Sequence, residues 1–333
     1  MRTFRAFQVI ESENSLSTQL VNKDFDALPE GEVVIKVSYS SVNYKDALAA
    51  TGQGRLIRQF PLTPGIDLVG SIVESSDSRF QADDKVIVTG YELGTGHDGG
   101  YAEYARVPAE WVVSLPEGMT EFTAMALGTA GFTVALCIKR LEENAQSPDL
   151  GPFVVTGGTG GVGSIAIDVL SKLGYEVHVT SRKSESHDYL KDLGASDIID
   201  MSQFDLSGPP LQKGIWGGAI DNVGSDVLAW LTRTVRPWGN ICSVGLAAGS
   251  DLSTTVMPFI LRGVSLLGIT SSGCPTPIRQ GLWERLANDL APVHLDEIIT
   301  QTITLEELDD FFAEMLAGKT VGRTVVKIGT DIT

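Results

Sequence analysis

The chain has 333 residues and a formal net charge of −17 at pH 7. That length makes two domains the default, and 43% hydrophobic with 20% charged residues is the composition of a chain that buries a core. The negative field repels a phosphate backbone, so nucleic acid is excluded as an expected partner, while a small anionic ligand held by local basic groups is not. Cys137, Cys242 and Cys274 are far apart, form no C-x-x-C pair and fit a reducing compartment. The first residues lack an apolar targeting core, and no run approaches the ~20 apolar residues of a membrane span. A cytoplasmic protein without membrane contact is therefore expected.

In chain order, segments 33–37, 68–73, 86–88 and 101–107 read as strands punctuated by Gly, Pro and Asp, which makes the first third β-rich. A helix is expected over 121–143, with Pro148 beyond it. From 153 the rhythm becomes strand–helix alternation. A short strand at 153–156 feeds a glycine loop, a helix at 164–173 carries Ile165, Ala166, Val169, Leu170 and Leu173 on one face, and a strand follows at 176–180. A helix near 185–193 and strands near 197–199, 217–223, 240–244 and 265–269 continue the pattern. Buried strands alternating with helices predict a parallel, doubly wound sheet. A helix at 305–317 and a strand at 324–328 return to the mixed style of the start. One β-rich domain built from both ends, with a nucleotide-binding unit inserted, accounts for this order.

Gly158-Thr159-Gly160-Gly161-Val162-Gly163 satisfies G-x-G-x-x-G between an expected strand and an expected helix, the context that this motif requires. By the usual division of labour, the first Gly makes a tight turn, the second admits a pyrophosphate and the third allows close helix–strand packing. The helix N-terminus adds positive partial charge. An NAD site would place Asp or Glu about 20 residues on. Here that position falls in Thr180-Ser181-Arg182-Lys183, where hydroxyls and cations suit a 2′-phosphate, with Arg182 the bidentate partner. NADPH/NADP is the expected cofactor; a solvated polar turn is the plainer alternative for the loop.

His97, His178, His187 and His294 are isolated from one another and from the cysteines, so no spacing suits zinc and no metal site is expected. Ser243 and Ser271 lack a His/Asp partner pattern. Hydride transfer to an activated C=C or C=O remains.

Together these features resemble the medium-chain dehydrogenase/reductase superfamily and, within it, the zinc-free acryloyl-CoA reductase (NADPH)/quinone oxidoreductase family. The resemblance rests on Ser41-Val42-Asn43-Tyr44-Lys45-Asp46-Ala47-Leu48, on Phe60-Pro61-Leu62-Thr63-Pro64-Gly65-Ile66-Asp67, on Gly128-Thr129-Ala130-Gly131-Phe132-Thr133, on 157–164, on Thr255-Val256-Met257-Pro258-Phe259-Ile260-Leu261-Arg262 and on Gly322-Arg323-Thr324. Zinc-containing relatives carry a His-Glu pair where this chain has Ile66-Asp67, and a cysteine near the position of Tyr44.

The resemblance implies an α/β fold, with a GroES-like catalytic domain over 1–122 and 271–333 and a Rossmann NADP(H)-binding domain over 123–270. It implies an enzyme that reduces the C=C bond of a 2-enoyl-CoA with NADPH, acryloyl-CoA above all. Quinone or α,β-unsaturated carbonyl reduction, and non-catalytic NADPH binding, are the alternatives. Hydride addition to the β-carbon leaves an enolate that needs an oxyanion donor and a proton. Tyr44 and Asn43 are the expected donor and orienting group, with Asp67 positioning one of them. A cleft wall, a turn cap and a hydrogen-bond hub are the plainer roles for these three residues. Gln53 and Arg55 stand where mitochondrial enoyl reductases place a tyrosine, which leaves solvent as another proton donor. Topology puts Leu246, Ile269 and Thr270 at the carboxyl edge of the sheet as cofactor contacts, with Tyr44 and Arg323 as further contacts. Arg55 and Arg58, or Arg262 and Arg279, are candidates for the phosphates of CoA. The apolar edge strand at 264–269 predicts a homodimer.

Overall fold

The computed structural model describes residues 2–12 and 15–329. The chain divides into one unit of Met1–Thr129, Ser271–Asn288 and Ile299–Thr333, and a second of Ala130–Thr270 and Asp289–Ile298.

The first unit opens with an antiparallel hairpin of β1 (Thr3–Ser12) and β2 (Ser15–Asp24). Sequence reading missed it because β2 is mostly polar and exposed, and only β1 buries a row of Phe4, Ala6, Phe7 and Val9. There follow β3 (Val33–Ser41), α1 (Tyr44–Thr51), β4 (Asp67–Ser75), β5 (Lys85–Thr89), β6 (Tyr104–Val107) and β7 (Val113–Ser114). Apolar residues on β3, β4 and β5 (Ile35, Val37, Leu68, Ile72, Val86, Val88) join Phe7 and Phe312 in one core. That burial is the main force holding this sheet together.

Next comes α2 (Glu121–Glu143), 23 residues long and, by length and composition, apolar enough to cross a membrane. This corrects the expectation that no segment reaches that level. The helix is nevertheless a core element, since 78% of its most apolar window is buried inside the protein. Gly128 breaks its helical path with φ 49° and ψ −151°, a conformation that glycine adopts at least cost.

The second unit holds β8 (Phe153–Val155), α3 (Gly161–Lys172), β9 (Val177–Thr180), α4 (His187–Asp192), β10 (Asp197–Ile199), β11 (Trp216–Asp221), α5 (Ser225–Thr234), β12 (Val235–Ser243), α6 (Met257–Arg262) and β13 (Ser265–Gly268). Its six strands run parallel in the order β10-β9-β8-β11-β12-β13. That is the doubly wound order whose reversal, between β8 and β11, marks the nucleotide crevice of such sheets.

The tail adds α7 (Thr276–Ala287), α8 (Leu295–Ile298), β14 (Ile299–Ile303), α9 (Leu308–Leu316) and β15 (Arg323–Lys327). Strands β14 and β15 return to the first unit, whose larger sheet runs β14-β15-β3-β4-β5-β7, with β6 also on β3. The domain limits differ from expectation at two places. Residues 289–298 belong with the nucleotide unit because buried Asp168 on α3 accepts the N–H groups of Val293 and His294 at 2.7 and 2.8 Å and meets His294 Nδ1 at 2.7 Å. The first unit extends to Thr129 because Thr129 donates twice to Asp67.

Candidate active site

In the nucleotide unit, the loop between β8 and α3 is shaped by what its glycines lack. A Cβ on Gly158 would lie 2.1 Å from Val179 Cγ1 on β9, and one on Gly163 would lie 2.4 Å from the Gly157 carbonyl oxygen. Neither can carry a side chain without moving its neighbours. The tight turn belongs to Gly157, with φ 63°, rather than to Gly158, the first Gly of the motif. Gly160 caps α3, and a Cβ there would find only Gly157 oxygen, at 3.5 Å. The space over it is open. Gly161, Val162 and Gly163 form the first turn of α3, so their N–H groups have no intrahelical acceptor and make up the positive end of the helix dipole. Thr159 is largely buried, and Ser164 ties the loop down through Oγ to the Gly158 carbonyl at 3.2 Å. A pyrophosphate fits this cradle.

The neighbouring carboxyl ends of β8 and β11 are locked together. Thr156 Oγ donates to Asp221 Oδ1 at 2.6 Å and accepts the Asn222 N–H at 2.9 Å, while Gly224 N–H reaches Asp221 Oδ2 at 2.8 Å. Burial raises the Asp221 carboxyl above the usual range. Sequence reading missed this lock, which a Thr and an Asp ending two adjacent strands could have signalled. Beyond β9, Ser181 Oγ accepts the Lys183 N–H at 3.1 Å, and Arg182 is exposed. Partial desolvation lowers the Lys183 ammonium. Leu246 is exposed, Ile269 is half-buried with its N–H on the Ser243 carbonyl at 3.1 Å, and Thr270 is exposed. Ser181, Arg182, Lys183, Leu246, Ile269 and Thr270 thus lie beyond the carboxyl ends of β9, β12 and β13.

In the first unit, Asn43, Asp67 and Arg323 meet in one buried network. Asp67, fully buried, accepts from Ser41 Oγ at 2.6 Å, Asn43 Nδ2 at 2.8 Å, Thr129 N–H at 2.9 Å and Thr129 Oγ at 2.5 Å. Arg323, 3% exposed, donates through Nε to the Ala126 carbonyl, through Nη1 to the Val42 carbonyl and Asn43 Oδ1, and through Nη2 to Ser41 Oγ. Gly128 gives this guanidinium room: a Cβ there would sit 2.6 Å from Asp67 Oδ2 and 2.8 Å from Arg323 Nη2.

One expectation changes here. Arg323 was expected to touch the cofactor, but its donors are consumed inside the fold. Asn43, expected as an orienting group or a turn cap, has its Nδ2 on Asp67 and, at 3.3 Å, on Asp46. It is the N-cap of α1 and an orienting group. Tyr44, the first residue of that helix, is 47% exposed, and its hydroxyl makes no hydrogen bond within the described residues. Sequence reading overlooked Asp46, whose place three residues after the cap is the spacing of a capping box.

Arg279 and Arg262 are also turned inward. Arg279 is buried over the Tyr91 ring and donates to the carbonyls of Thr89 and Ser271, both at 2.8 Å. Arg262 donates to the carbonyls of Arg233, Val235 and Gln212. Neither can serve CoA phosphates without breaking these bonds, whereas Arg55 and Arg58 are exposed. Among the described residues, no three His, Cys, Asp or Glu side chains converge as metal ligands.

Comparison with known proteins agrees with this geometry. Residues 29–117 match the alcohol dehydrogenase GroES-like domain family, and residues 161–288 match the zinc-binding dehydrogenase family. The acrylyl-CoA reductase AcuI of Ruegeria pomeroyi is 43% identical over 98% of this chain and 99% of its own length. YhfP of Bacillus subtilis, provisionally named a quinone oxidoreductase, is 44% identical over 98% of this chain and 99% of its own. Its crystal structure with NAD bound superposes with a TM-score of 0.95. The yhdH oxidoreductase of Salmonella enterica in complex with NADP is 43% identical, with a TM-score of 0.95 over 98% of this chain and all of that one. The chain therefore belongs to the medium-chain dehydrogenase/reductase superfamily, in the family that holds the acrylyl-CoA reductases and YhfP.

Proposed function

We propose that this chain reduces the C=C bond of 2-enoyl-CoA thioesters with NADPH, converting acryloyl-CoA to propanoyl-CoA above all. The observation that carries this reading is the 43% identity to an acrylyl-CoA reductase over nearly the full length of both chains. The glycine cradle and the Arg182-Lys183 loop support the cofactor, as does the NADP of the Salmonella neighbour.

When bound, the cofactor supplies the hydride that adds to the β-carbon. The first turn of α3 would hold its pyrophosphate, Arg182 and Lys183 its 2′-phosphate, and Leu246, Ile269 and Thr270 would border its nicotinamide half. Tyr44, whose hydroxyl is not engaged among the described residues, is the side chain we assign to the thioester oxygen as negative charge gathers there. Asn43 and Asp67 act through it by fixing the start of α1. Solvent delivers the α-proton. With Arg262 and Arg279 engaged elsewhere, Arg55 and Arg58 are left to meet the phosphates of CoA.

We further propose turnover without metal, supported by histidines that stand apart from one another and from the cysteines in the sequence; activity should survive dialysis against a chelator. A homodimer is supported by the open edge at β13 and by exposed Val256, Ile260 and Leu261 beside it in sequence; light scattering at micromolar concentration should give twice the chain mass. The buried cysteines, none of them in a disulfide, suit the cytoplasm.

The deciding experiment follows NADPH oxidation with acryloyl-CoA, crotonyl-CoA and benzoquinone in parallel. Turnover fastest with acryloyl-CoA is expected. Turnover with the quinone alone would favour the activity suggested by the name of YhfP, and no turnover with any acceptor would leave a non-catalytic NADPH-binding protein.

A further inference from the structure

We propose that Asp221 is a positioning residue for the cofactor: it ties the loops leaving β8, β11 and β12 to one another, and so presets the part of the crevice that borders the nicotinamide half of NADPH. The residue uses both its side chain and its main chain. Its carboxylate, fully buried, accepts from the Thr156 hydroxyl at the end of β8 at 2.6 Å, from Gly224 N–H at 2.8 Å and from Val223 N–H at 3.3 Å. Its carbonyl accepts the N–H groups of Val244 and Gly245, just past β12, at 2.9 and 3.1 Å. Five donors from three loops thus converge on one residue, beside the point where the strand order reverses.

The loops joined in this way also pack closely on each other. Ala248 N–H donates to the Val223 carbonyl at 2.8 Å. A Cβ on Gly245 would lie 2.4 Å from the Asn222 carbonyl oxygen, and one on Gly224 2.6 Å from that of Gly249. Gly224 and Ser225 both take a left-handed φ, 76° and 50°, and Ser225 holds it only because its surroundings impose it. The bond from Gly224 N–H to Asp221 fixes the turn at this pair. Leu246, assigned above to the nicotinamide half, follows Gly245 directly. The glycine loop has anchors of its own: Gly158 N–H donates to the Thr180 carbonyl on β9 at 3.3 Å, and Ser164 holds it from α3. The phosphate-binding end of the site is therefore not fixed by Asp221.

Every partner of the carboxyl is a donor. Asp221→Asn keeps the shape but turns one accepting atom into an amide donor, which faces either the Thr156 hydroxyl or the Gly224 N–H. Thr156→Val removes the hydroxyl, which also accepts the Asn222 N–H at 2.9 Å, whereas Thr156→Ser keeps it. Loops released by such a change spend part of their time in arrangements that do not bind. The apparent Kd then rises by the inverse of the competent fraction.

The inference rests on the placement of the nicotinamide half beside Leu246 and not on the acceptor, so failure to reduce acryloyl-CoA would leave its test intact. Isothermal titration calorimetry of the full chain compares NADPH with adenosine 2′,5′-bisphosphate, which lacks the nicotinamide half. Asp221→Asn and Thr156→Val should weaken NADPH about tenfold or more and the bisphosphate less than about twofold, with Thr156→Ser near wild type. Equal losses for both ligands, or none for either, would overturn the inference, because a merely structural Asp221 would lower stability without separating the two ends. If the variants do not fold, hydrogen exchange in the wild-type chain decides. The Gly224, Val244 and Gly245 amides should be protected before any cofactor is added. Free exchange at these amides that slows only when NADPH binds would show loops that are not preset, and would overturn the inference.

Discussion

The glycine loop of the nucleotide unit and the polar hub of the first unit solve opposite problems. In the loop, function rests on missing side chains: Gly158 and Gly163 let elements approach within distances that no Cβ allows, and Gly160 leaves the helix N-terminus open. In the hub, polar side chains are abundant but bound to one another. Asp67 accepts four hydrogen bonds, and Arg323 spends its donors on Ser41, Asn43 and two carbonyls. A site made of backbone is open to a ligand by construction. A site made of polar side chains offers a ligand only what its own network leaves over, which here is Tyr44.

The sharpest way to break that contrast is to remove the hub's cation. Arg323→Met would take away the guanidinium that faces Asp46 and Asp67 and remove its N–H groups from the Ala126 and Val42 carbonyls. Breaking a buried charge set from one side costs about 3–5 kcal/mol, so a large loss of thermal or denaturant stability is expected. Arg323→Lys should recover only part of it, because an ammonium cannot reproduce the planar fork. Affinity for NADPH, measured on the folded fraction, should hardly change. A variant of normal stability with weakened NADPH binding would return Arg323 to the cofactor and collapse the distinction between the two regions.

The difference also explains what could be read from the residues alone. The glycine loop was legible because its chemistry is local in sequence: a short strand, six residues and a helix suffice to define it. The parallel sheet was legible for the same reason, each strand carrying its own apolar run. Hub membership was half legible. Asn43, Asp67 and Arg323 stood out as polar residues, but their partners come from four separate segments, around 41–46, 67, 125–129 and 323. No spacing rule reveals that Arg323 uses up its donors on Ser41, Asn43 and two carbonyls, so it was expected to touch the cofactor. Asp46 was hidden for the opposite reason, since an acid in the first turn of a helix is ordinary. The β1–β2 hairpin was lost to the polar sequence of its second strand, and residues 289–298 to the bonds that buried Asp168 makes with Val293 and His294.

A second, somewhat smaller effect tests what the hub leaves over. Tyr44→Phe keeps the ring and its packing and removes only the hydroxyl. If that hydroxyl holds the thioester oxygen in the transition state, kcat on acryloyl-CoA should fall by about 10²–10³, with NADPH affinity and stability near wild type. Unchanged turnover would reduce Tyr44 to a wall and move the oxyanion role to backbone N–H groups or solvent. Tyr44→Ala is a poorer test, because it also deletes a ring that packs against the surface.

The smallest expected effect sharpens the other side of the comparison, where the backbone cradle gives way to side chains at one point. Backbone N–H groups at the start of α3 treat NADH and NADPH alike, because both carry the same pyrophosphate. Only the loop after β9 can tell them apart, and its opening residues, Ser181, Arg182 and Lys183, include no acid to accept from a ribose 2′-hydroxyl. Arg182 is exposed there, and the Ser181–Lys183 bond shapes the turn beneath it. Arg182→Ala should therefore weaken NADPH by a charge-assisted pair, about 1.5–3 kcal/mol or tenfold and more in Kd, while leaving NADH nearly untouched. Part of the loss should disappear as salt is raised, since an exposed cation is screened. The NAD seen with YhfP makes this a real discrimination within the family rather than a formality. Equal losses for both cofactors would mean that Arg182 shapes the loop without reading the phosphate. No loss for either would place the whole of cofactor recognition in the glycine cradle, and Lys183 would then be the next residue to replace.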